Sequence, residues 1–332
     1  MREERADFHV HFGNRTEEEI IEEARENRVS VVAVLDRGIV KIGRLKHLIA
    51  TAQNQGVTVI PGVENLTEVS YDHSKLSTEL LGLDFDLDHP AIHDTFDPLG
   101  KRQQEKHLRK IEFQRSFLES RGFDLNTTRE NTTHWETIKK GGILETALEL
   151  CKIAAYNPKN RPLLDSLQTS IKEHLSRRPQ DKGELQEAKC LYWEYFAQGQ
   201  PGFRRWFLDY KVIINSIHQA GGVVIIPHPE YRHIDNKVGI DKILGELFDA
   251  GVDGIEGWDA GPLDKHLARL ALNKGKLLLG GSGEDSTNYN NRVMGKGEKG
   301  SERMYISPKR LIDIRSYKQR AGIGKQLEIS TC

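Results

Sequence analysis

The chain of 332 residues contains few cysteines and no long hydrophobic run. Its three cysteines, Cys151, Cys190 and Cys332, are scattered, odd in number and without a C-x-x-C pair. This usage predicts neither a disulfide framework nor a structural zinc site, and it fits a reducing compartment. No apolar stretch approaches the roughly eighteen residues of a membrane-spanning helix, and the charged residues 1–5 do not resemble a signal peptide. We therefore predict a soluble cytoplasmic protein with no membrane partner.

The sequence also lacks an excess of charge of one sign. Its 48 Lys and Arg residues are matched by 49 Asp and Glu residues, so the formal net charge is −1. Such a balance gives no indication that the whole chain binds nucleic acid. Hydrophobic residues make up 37% and charged residues 29%, which is polar for a globular protein but not a composition typical of disorder. The length is sufficient for one large barrel or two medium domains.

Strands and helices alternate in the first and last parts of the sequence. Strands are predicted at residues 6–12, 29–35, 57–61, 80–83, 222–227, 252–256 and 276–279. Helices of about ten residues separate most of them, which predicts βαβ units and a parallel sheet. Residues 100–200 are instead highly charged and helix-rich, with helices expected at 101–121, 142–155, 163–176 and 183–197. We therefore predict a discontinuous barrel, residues 1–98 and 208–332, interrupted by a helical insertion at 99–207.

Histidine and carboxylate residues stand at the ends of the predicted strands. In the opening motif D-F-H-V-H, His9 and His11 share one face of a strand, about 6–7 Å apart. The other strand-end residues are Asp36 and Arg37, Glu64, Glu79 at the start of the fourth strand, His228, Glu256, Glu284 and Asp285. In a parallel barrel the loops that follow the strands converge on one rim. The mixture of imidazoles and carboxylates predicts a Zn²⁺, Mn²⁺ or Fe²⁺ site there rather than a Ca²⁺ site.

Simpler explanations stay open for single members of this set. Acidic residues are common after strands because they cap the next helix, and Asp36 or Glu64 could each have only that role. His228 precedes Pro229, and a His-Pro turn can be purely structural. For all of these residues together, such explanations require several coincidences on one rim.

The order of the motifs resembles that of the PHP (polymerase and histidinol phosphatase) metal-dependent phosphoesterases. Along the chain the motifs are D-F-H-V-H, L-D-R-G, P-G-V-E-N, E-L-L-G-L, A-G-G-V-V-I-I-P-H-P-E, G-V-D-G-I-E-G-W-D and G-G-S-G-E-D. The similarity covers roughly residues 6–290 and is greatest to the branch with a helical insertion that hydrolyses nucleotide or RNA-end phosphates. It implies an α/β fold, a distorted (β/α)7 TIM-like barrel, with one to three Mn²⁺, Zn²⁺ or Fe²⁺ ions. The ligands it implies are His9, His11, Asp36, Glu64 and His228.

Four positions depart from the family pattern. Arg37 and Glu79 stand where the family has histidines, and the last motif has Gly283 for an aspartate and Asp285 for a histidine. Glu79, Glu284 and Asp285 are all able to bind hard cations, so they remain candidate ligands, and the exchange of histidine for carboxylate favours Mn²⁺.

The chemistry predicted is metal-assisted hydrolysis of phosphate esters, with a small phosphorylated substrate or a nucleic-acid end as partner. Asp36, His228 and Arg37 are the candidate catalytic residues. Arg37, Arg232, His233 and Arg109 are the candidate phosphate-binding residues, although Arg37 could instead form an ion pair with Glu64 or Glu79. Two alternatives stay open: a degenerate domain that binds a ligand, nucleic acid or a protein without turnover, and an amidohydrolase-like metallohydrolase.

Overall fold

The fold was analysed in a computed structural model, which describes residues 4–13, 15–38, 40–71, 74–126, 146–167, 183–196, 208–229, 237–259, 265–282, 292–294, 297–298 and 306–323. The chain divides into two compact units. One consists of Met1–Gly100 and Trp206–Cys332, and the other of Lys101–Arg205. Among the residues listed above, no helix is both long enough and apolar enough to cross a bilayer.

The first unit is built on a seven-stranded sheet in which neighbours in sequence are neighbours in space. Its strands are β1 (Arg5–His11), β2 (Val29–Arg37), β3 (Thr58–Tyr71), β4 (Ser74–Leu83), β5 (Val223–Ile226), β6 (Gly254–Asp259) and β7 (Leu277–Gly281). Helices α1 (Glu17–Glu26), α2 (Ile42–Gln53), α7 (Tyr210–Gln219), α8 (Lys237–Asp249), α9 (Lys265–Asn273) and α10 (Arg310–Ala321) accompany it, with a short ribbon of β8 (Arg292–Val293) and β9 (Gly297–Glu298). The predicted α/β barrel-like fold is thus confirmed.

Helix α1 illustrates how the local sequence sets an element boundary. Thr16 caps this helix. The Thr16 hydroxyl oxygen accepts a hydrogen bond from Glu19 N at 3.2 Å, while Thr16 N donates to the Glu19 carboxylate at 2.6 Å. This reciprocal capping box satisfies two backbone groups that the first turn would leave unpaired.

The sheet is not wholly parallel, which corrects the prediction for the fourth strand. β1, β2 and β3 are parallel, as are β5, β6 and β7, but β4 is antiparallel to both β3 and β5. β3 and β4 are also much longer than expected and form one hairpin, paired from Tyr71 and Ser74 back to Gly62 and Leu83. A short turn can join only antiparallel strands, since a parallel pair needs a crossover of a dozen or more residues.

The sheet curls so that its first and last strands lie close together. Ser282, directly after β7, donates its backbone N–H to Asp7 Oδ1 at 2.9 Å. Buried side chains fill the inside of the curl together with α10: Ala6, Phe8, Ala33, Leu35, Ile60, Leu81, Leu83, Ile225, Leu279 and Ile314 are among them. A second cluster, which includes Val10, Phe12, Val32 and Val34, packs between the sheet and its outer helices. The sheet is therefore covered on both faces, as expected for a barrel-like α/β unit.

The second unit is helical and has its own core. It contains most of α3 (Pro90–Ser120), with α4 (Thr146–Tyr156), a 3₁₀ turn (Pro158–Asn160), α5 (Arg161–Ser166) and α6 (Gly183–Tyr195). The buried Asn160 side chain fastens the loop after α3, because it accepts from Asp124 N at 2.7 Å and donates to Asp124 O and Ala154 O. Residues 142–145 and 168–176, parts of two predicted helices, lie outside the described residues.

Candidate metal centre

A bulge in β1 brings both histidines of the opening motif to the inside of the curl. Asp7 pairs with Val32 but Val10 pairs with Val34, so β1 has one more residue than β2 over this stretch. The extra residue lets Phe8 and His9 face inward in succession, after which Val10 points outward and His11 inward. The His9 and His11 rings meet edge to face at 5.0 Å, with their Nε2 atoms 3.1 Å apart.

Glu64 and His228 complete the centre of the cluster. Glu64 lies within β3, and its two carboxylate oxygens are each 3.5 Å from a histidine Nε2, one on His9 and one on His11. His228 follows β5, and its ring stacks on that of His9 at 5.8 Å. One donor atom from each of His9, Glu64 and His228 lies within 4.8 Å of the other two. Three strands that are distant in sequence therefore contribute donors to one point.

The reversed direction of β4 explains why Glu79, in the middle of that strand, reaches the same site. Glu79 pairs with Leu66 of β3, and two residues further on Leu81 pairs with Ile225 of β5. Because β4 runs against β5, the residues before Leu81 lie beyond the carboxyl end of β5. Glu79 Oε2 is consequently 3.2 Å from His228 Nε2.

Gly281 has no side chain, and this leaves room for His9. Gly281, at the end of β7, packs so closely on β1 that an added Cβ would lie 2.1 Å from His9 Cβ and 2.6 Å from His9 N. Contacts below about 3 Å do not occur between such atoms without displacement, so any larger residue would push β1 away. The G-G-S-G-E-D motif thus contributes to the site through its glycine at position 281.

Glu256 is a member of the site that the sequence interpretation did not include among its ligands. It lies on β6 with 2% of its surface exposed, directly opposite Leu279 of the inner core. Its Oε1 is 3.0 Å from His9 Nδ1, and its Oε2 accepts a hydrogen bond from the backbone N–H of His228 at 3.1 Å. Its strand-end position was visible in the sequence, by the same rule that selected Glu64.

Asp36 is buried at the end of β2, close to the ammonium group of Lys41. Its Oδ1 is 3.4 Å from Lys41 Nζ, while its Oδ2 is buried without a hydrogen-bond partner among the described residues. Burial raises the pKa of this carboxyl, although the charges of Lys41 and Arg44 oppose the shift. Neither Asp36 nor Glu64 serves only as a helix cap: the α2 cap position is Lys41, with no side-chain cap bond, and Glu64 lies inside a strand.

Neighbouring carboxylates raise the pKa of both central histidines. Burial lowers the pKa of His9, but Glu256 and Glu64 outweigh this effect and hold the pKa well above its usual value. Burial also lowers the pKa of His228, as does the charge of His9. The hydrogen bond to Glu79 and the charge of Glu256 outweigh both and raise the pKa of His228. These carboxylates therefore favour positive charge at the two rings.

The remaining predicted site residues stay predictions. Arg37 ends β2, where its backbone pairs in register with Glu64. Arg109 is an exposed residue of α3 in the helical unit. Arg232, His233, Glu284 and Asp285, together with Gly283, lie outside the described residues.

The donors present fit a divalent cation. Donor atoms of two imidazoles and a carboxylate lie within 4.8 Å of one another, and the carboxylates of Glu256 and Glu79 lie beside them. Neutral imidazole with carboxylate is the donor set typical of zinc, manganese and iron sites. The buried Asp36 Oδ2, which has no hydrogen-bond partner among the described residues, is a further donor of the kind that a cation satisfies.

Fold and site together define a barrel-like α/β protein with a His/Glu metal-site cluster at one rim. Comparison with known proteins supports the same class. The 3′,5′-nucleoside bisphosphate phosphatase of Chromobacterium violaceum is 22% identical over 259 residues, which cover 76% of each chain. The 5′-3′ exoribonuclease of Haemophilus influenzae is 24% identical over 270 residues, covering 80% of this chain and 83% of that protein. No family model matches the sequence.

Two solved structures share the fold. A candidate metal-dependent phosphoesterase from Bifidobacterium adolescentis superposes with a TM-score of 0.62 at 17% identity, covering 95% of this chain and 96% of that one. An amidohydrolase from Chromobacterium violaceum, with bound sulfate and no metal, gives 0.59 at 19% identity, covering 94% and 96%. The predicted resemblance to a PHP-like family is confirmed by these comparisons.

Proposed function

We propose that this protein is a metal-dependent hydrolase of phosphate esters. The observation that carries the proposal is the convergence of His9, Glu64 and His228 from three strands onto one point within a PHP-like fold. Relatives named as a nucleoside bisphosphate phosphatase and an exoribonuclease support a substrate that is a nucleotide or a nucleic-acid end.

The proposed ligands are His9, His11, Glu64 and His228, with Asp36 and Glu79 at the sides and Glu284 and Asp285 as further candidates. A divalent ion bound there, Mn²⁺ or Zn²⁺, would lower the pKa of a bound water and would supply positive charge to stabilise the phosphoryl oxygens in the transition state. Replacement of family histidines by Glu79 and Asp285 favours Mn²⁺, since carboxylates suit harder cations.

The chain's own residues would hold the substrate and its protons. One carboxylate oxygen of Asp36 is buried and has no partner in the part of the chain that the structure describes, so Asp36 is a candidate proton acceptor as well as a ligand. His228 receives its orientation from Glu79 and Glu256. Arg37 is the proposed phosphate-binding residue, because a guanidinium offers two parallel donors to phosphate oxygens. Arg232, His233 and Arg109 are secondary candidates for the same role.

Release of inorganic phosphate tests this proposal directly. The purified full-length chain is incubated with Mn²⁺ or Zn²⁺ and with 3′,5′-bisphosphonucleotides, simple phosphomonoesters and 5′-phosphorylated RNA. Mononucleotides released from the RNA are measured as well. We expect hydrolysis of at least one of these substrates, loss of activity in chelator and in His9→Asn, and retention in His266→Asn, whose exposed ring pairs with Asp241.

The alternatives give different results in the same assay. A chain that binds no metal and hydrolyses none of the esters would support a degenerate binding domain. Metal-dependent hydrolysis of amides or lactones, with phosphate esters untouched, would support an amidohydrolase, the name given to one of the proteins with this fold.

A further inference from the structure

Glu256 contacts two histidines of the metal centre, His9 and His228. His9 belongs to β1 and His228 follows β5, and these strands are not neighbours in the sheet. One oxygen of Glu256 lies 3.0 Å from the side chain of His9, and the other accepts from the backbone of His228. Glu256 has 2% of its surface exposed and therefore little contact with solvent. Each of its two oxygens instead contacts one of these two residues.

On His9, the contact is made by the nitrogen that faces away from the cluster. Nδ1 meets Glu256, while Nε2 faces Glu64 and His11. A carboxylate only accepts hydrogen bonds, so the proton of the neutral ring is held on Nδ1 and the lone pair of Nε2 is left for a cation. The same bond fixes the angle of the ring.

On His228, the contact is made by the backbone, and the backbone there is unusual. His228 has a φ of +30°, in a region that residues other than glycine rarely adopt. Such a conformation persists only where neighbouring groups hold it. The bond from its N–H to Glu256 is one such constraint, and the ring contact with Glu79 is another.

The strand geometry explains why Glu256 faces this way. Glu256 pairs with Leu279, but Trp258 pairs with Gly280, so β6 carries one extra residue immediately after Glu256. A bulge at this position changes the direction of the strand beyond it, and bulges of this kind often occur next to functional sites. Glu256 is thus the last inward-facing residue before the bend.

We propose that Glu256 is a positioning residue of the metal centre: one carboxylate sets the tautomer of the His9 ring and holds the backbone of His228, so that both imidazoles meet the same cation. This inference rests on the proposed function, because it assumes that the cluster binds a metal. Glu256 itself stands behind the ligands and is not proposed to touch substrate.

Metal affinity of the folded protein tests the role. Glu256→Gln keeps the size of the side chain but leaves one acceptor oxygen for two donors, His9 Nδ1 and His228 N. Glu256→Ala removes both acceptor oxygens. We expect each variant to bind Zn²⁺ about 10- to 100-fold more weakly than wild type in a competition titration. Glu246→Gln, an exposed carboxylate on α8, is the matched control and should bind as wild type does. Circular dichroism at the assay temperature verifies that each variant is folded.

A second measurement does not depend on the Glu256 variants. In the zinc-loaded wild type with ¹⁵N-labelled histidine, the resonances of His9, assigned by their loss in His9→Gln, should show a protonated Nδ1 and a metal-bound Nε2. Binding through Nδ1, or unchanged affinity in both Glu256 variants, would overturn the positioning role while leaving the proposed function intact. A wild-type chain that binds no zinc or manganese would instead overturn both.

Discussion

The Glu79 carboxylate and the His228 ring meet at 3.2 Å across two antiparallel strands, β4 and β5. This contact puts a carboxylate next to a candidate ligand, at a position where the resembled family has a histidine. Removal of the partner of a half-buried histidine alters both its charge and its orientation, so we expect Glu79 to influence which cation the proposed site prefers.

Restoring the family residue with Glu79→His should shift the metal preference toward zinc. An imidazole in place of a carboxylate makes the donor set softer, and softer sets favour Zn²⁺ over Mn²⁺. Metal content is measured by mass spectrometry after dialysis against equal concentrations of the two ions. An isosteric Glu79→Gln variant distinguishes the loss of a charge from the gain of an imidazole. An unchanged ratio of zinc to manganese in Glu79→His would show that Glu79 is not a ligand.

Gly281 leads to a prediction about packing between β1 and β7. Gly281→Ala places a methyl group only 2.1 Å from His9 Cβ, which is too close for two carbon atoms that are not bonded. The substitution should therefore destabilise the fold by about 1–3 kcal/mol or more. The displaced β1 should also weaken metal binding, because His9 moves with it. Chemical denaturation and a zinc titration measure the two effects.

Another glycine provides the control for Gly281→Ala. Gly245 lies in α8, and nothing lies within 4 Å of a Cβ added there. Gly245→Ala should therefore stabilise the protein by about 0.5–1 kcal/mol through the helix preference of alanine. Equal effects of the two substitutions would contradict the close packing of Gly281 on His9.

Much of the fold could be predicted because strands and helices leave different periodic patterns. The direction of β4 could not, since an alternating apolar pattern is the same in either direction and the β3–β4 turn lies in a polar stretch. The bulges in β1 and β6 were equally invisible, because one extra residue changes no composition. These bulges affect which residues face inward. The sequence therefore indicated His9, His11, Glu64 and His228 as candidate ligands, but it did not indicate the positioning role proposed for Glu256. The residues of the last motif beyond Ser282 stay a prediction.

Metal binding should stabilise the folded protein, and two histidines should be required for it. A cation that binds only the folded state adds about 2.7 kcal/mol when its free concentration is a hundred times its Kd. We expect Mn²⁺ or Zn²⁺ to raise the midpoint of thermal unfolding in wild type, and the rise to be lost in His9→Asn and His228→Asn. His266→Asn removes an exposed histidine and should keep the full rise. A rise of equal size in all variants would mean that the cation binds elsewhere.

Another buried carboxylate, Asp253, lies directly before β6 and holds α7. Asp253 Oδ2 accepts from His218 Nε2 and from Val224 N, each at 2.7 Å, and its charge acts on the Tyr317 phenol of α10. Burial and the Asp253 charge together raise the pKa of Tyr317 far above its usual value, against a smaller opposing effect of Arg320. The neutral phenol is therefore favoured in the folded state.

This shift predicts a loss of stability at alkaline pH. The phenol of the unfolded chain has a pKa of about 10, so below that pH both states keep the proton and the stabilising contribution is fully present. As the pH rises above it, the unfolded chain releases the proton while folded Tyr317 retains it, and stability falls. Tyr317→Phe removes this dependence. We expect the variant to be less stable than wild type at pH 8, by about 1 kcal/mol for the lost phenol–carboxylate interaction, and this difference in stability to narrow at pH 10.5.

Urea denaturation at the two pH values measures the gap between wild type and Tyr317→Phe. A parallel Tyr210→Phe variant, at the start of α7, corrects for the general effect of removing one phenol from the chain. If the gap stays constant or widens between pH 8 and 10.5, Tyr317 does not hold its proton against Asp253 in the folded protein. The Asp253 charge would then not act on the Tyr317 phenol, and α10 would be held by the apolar contacts of Leu311 and Ile314 and by the bond of Lys318 to Asp84.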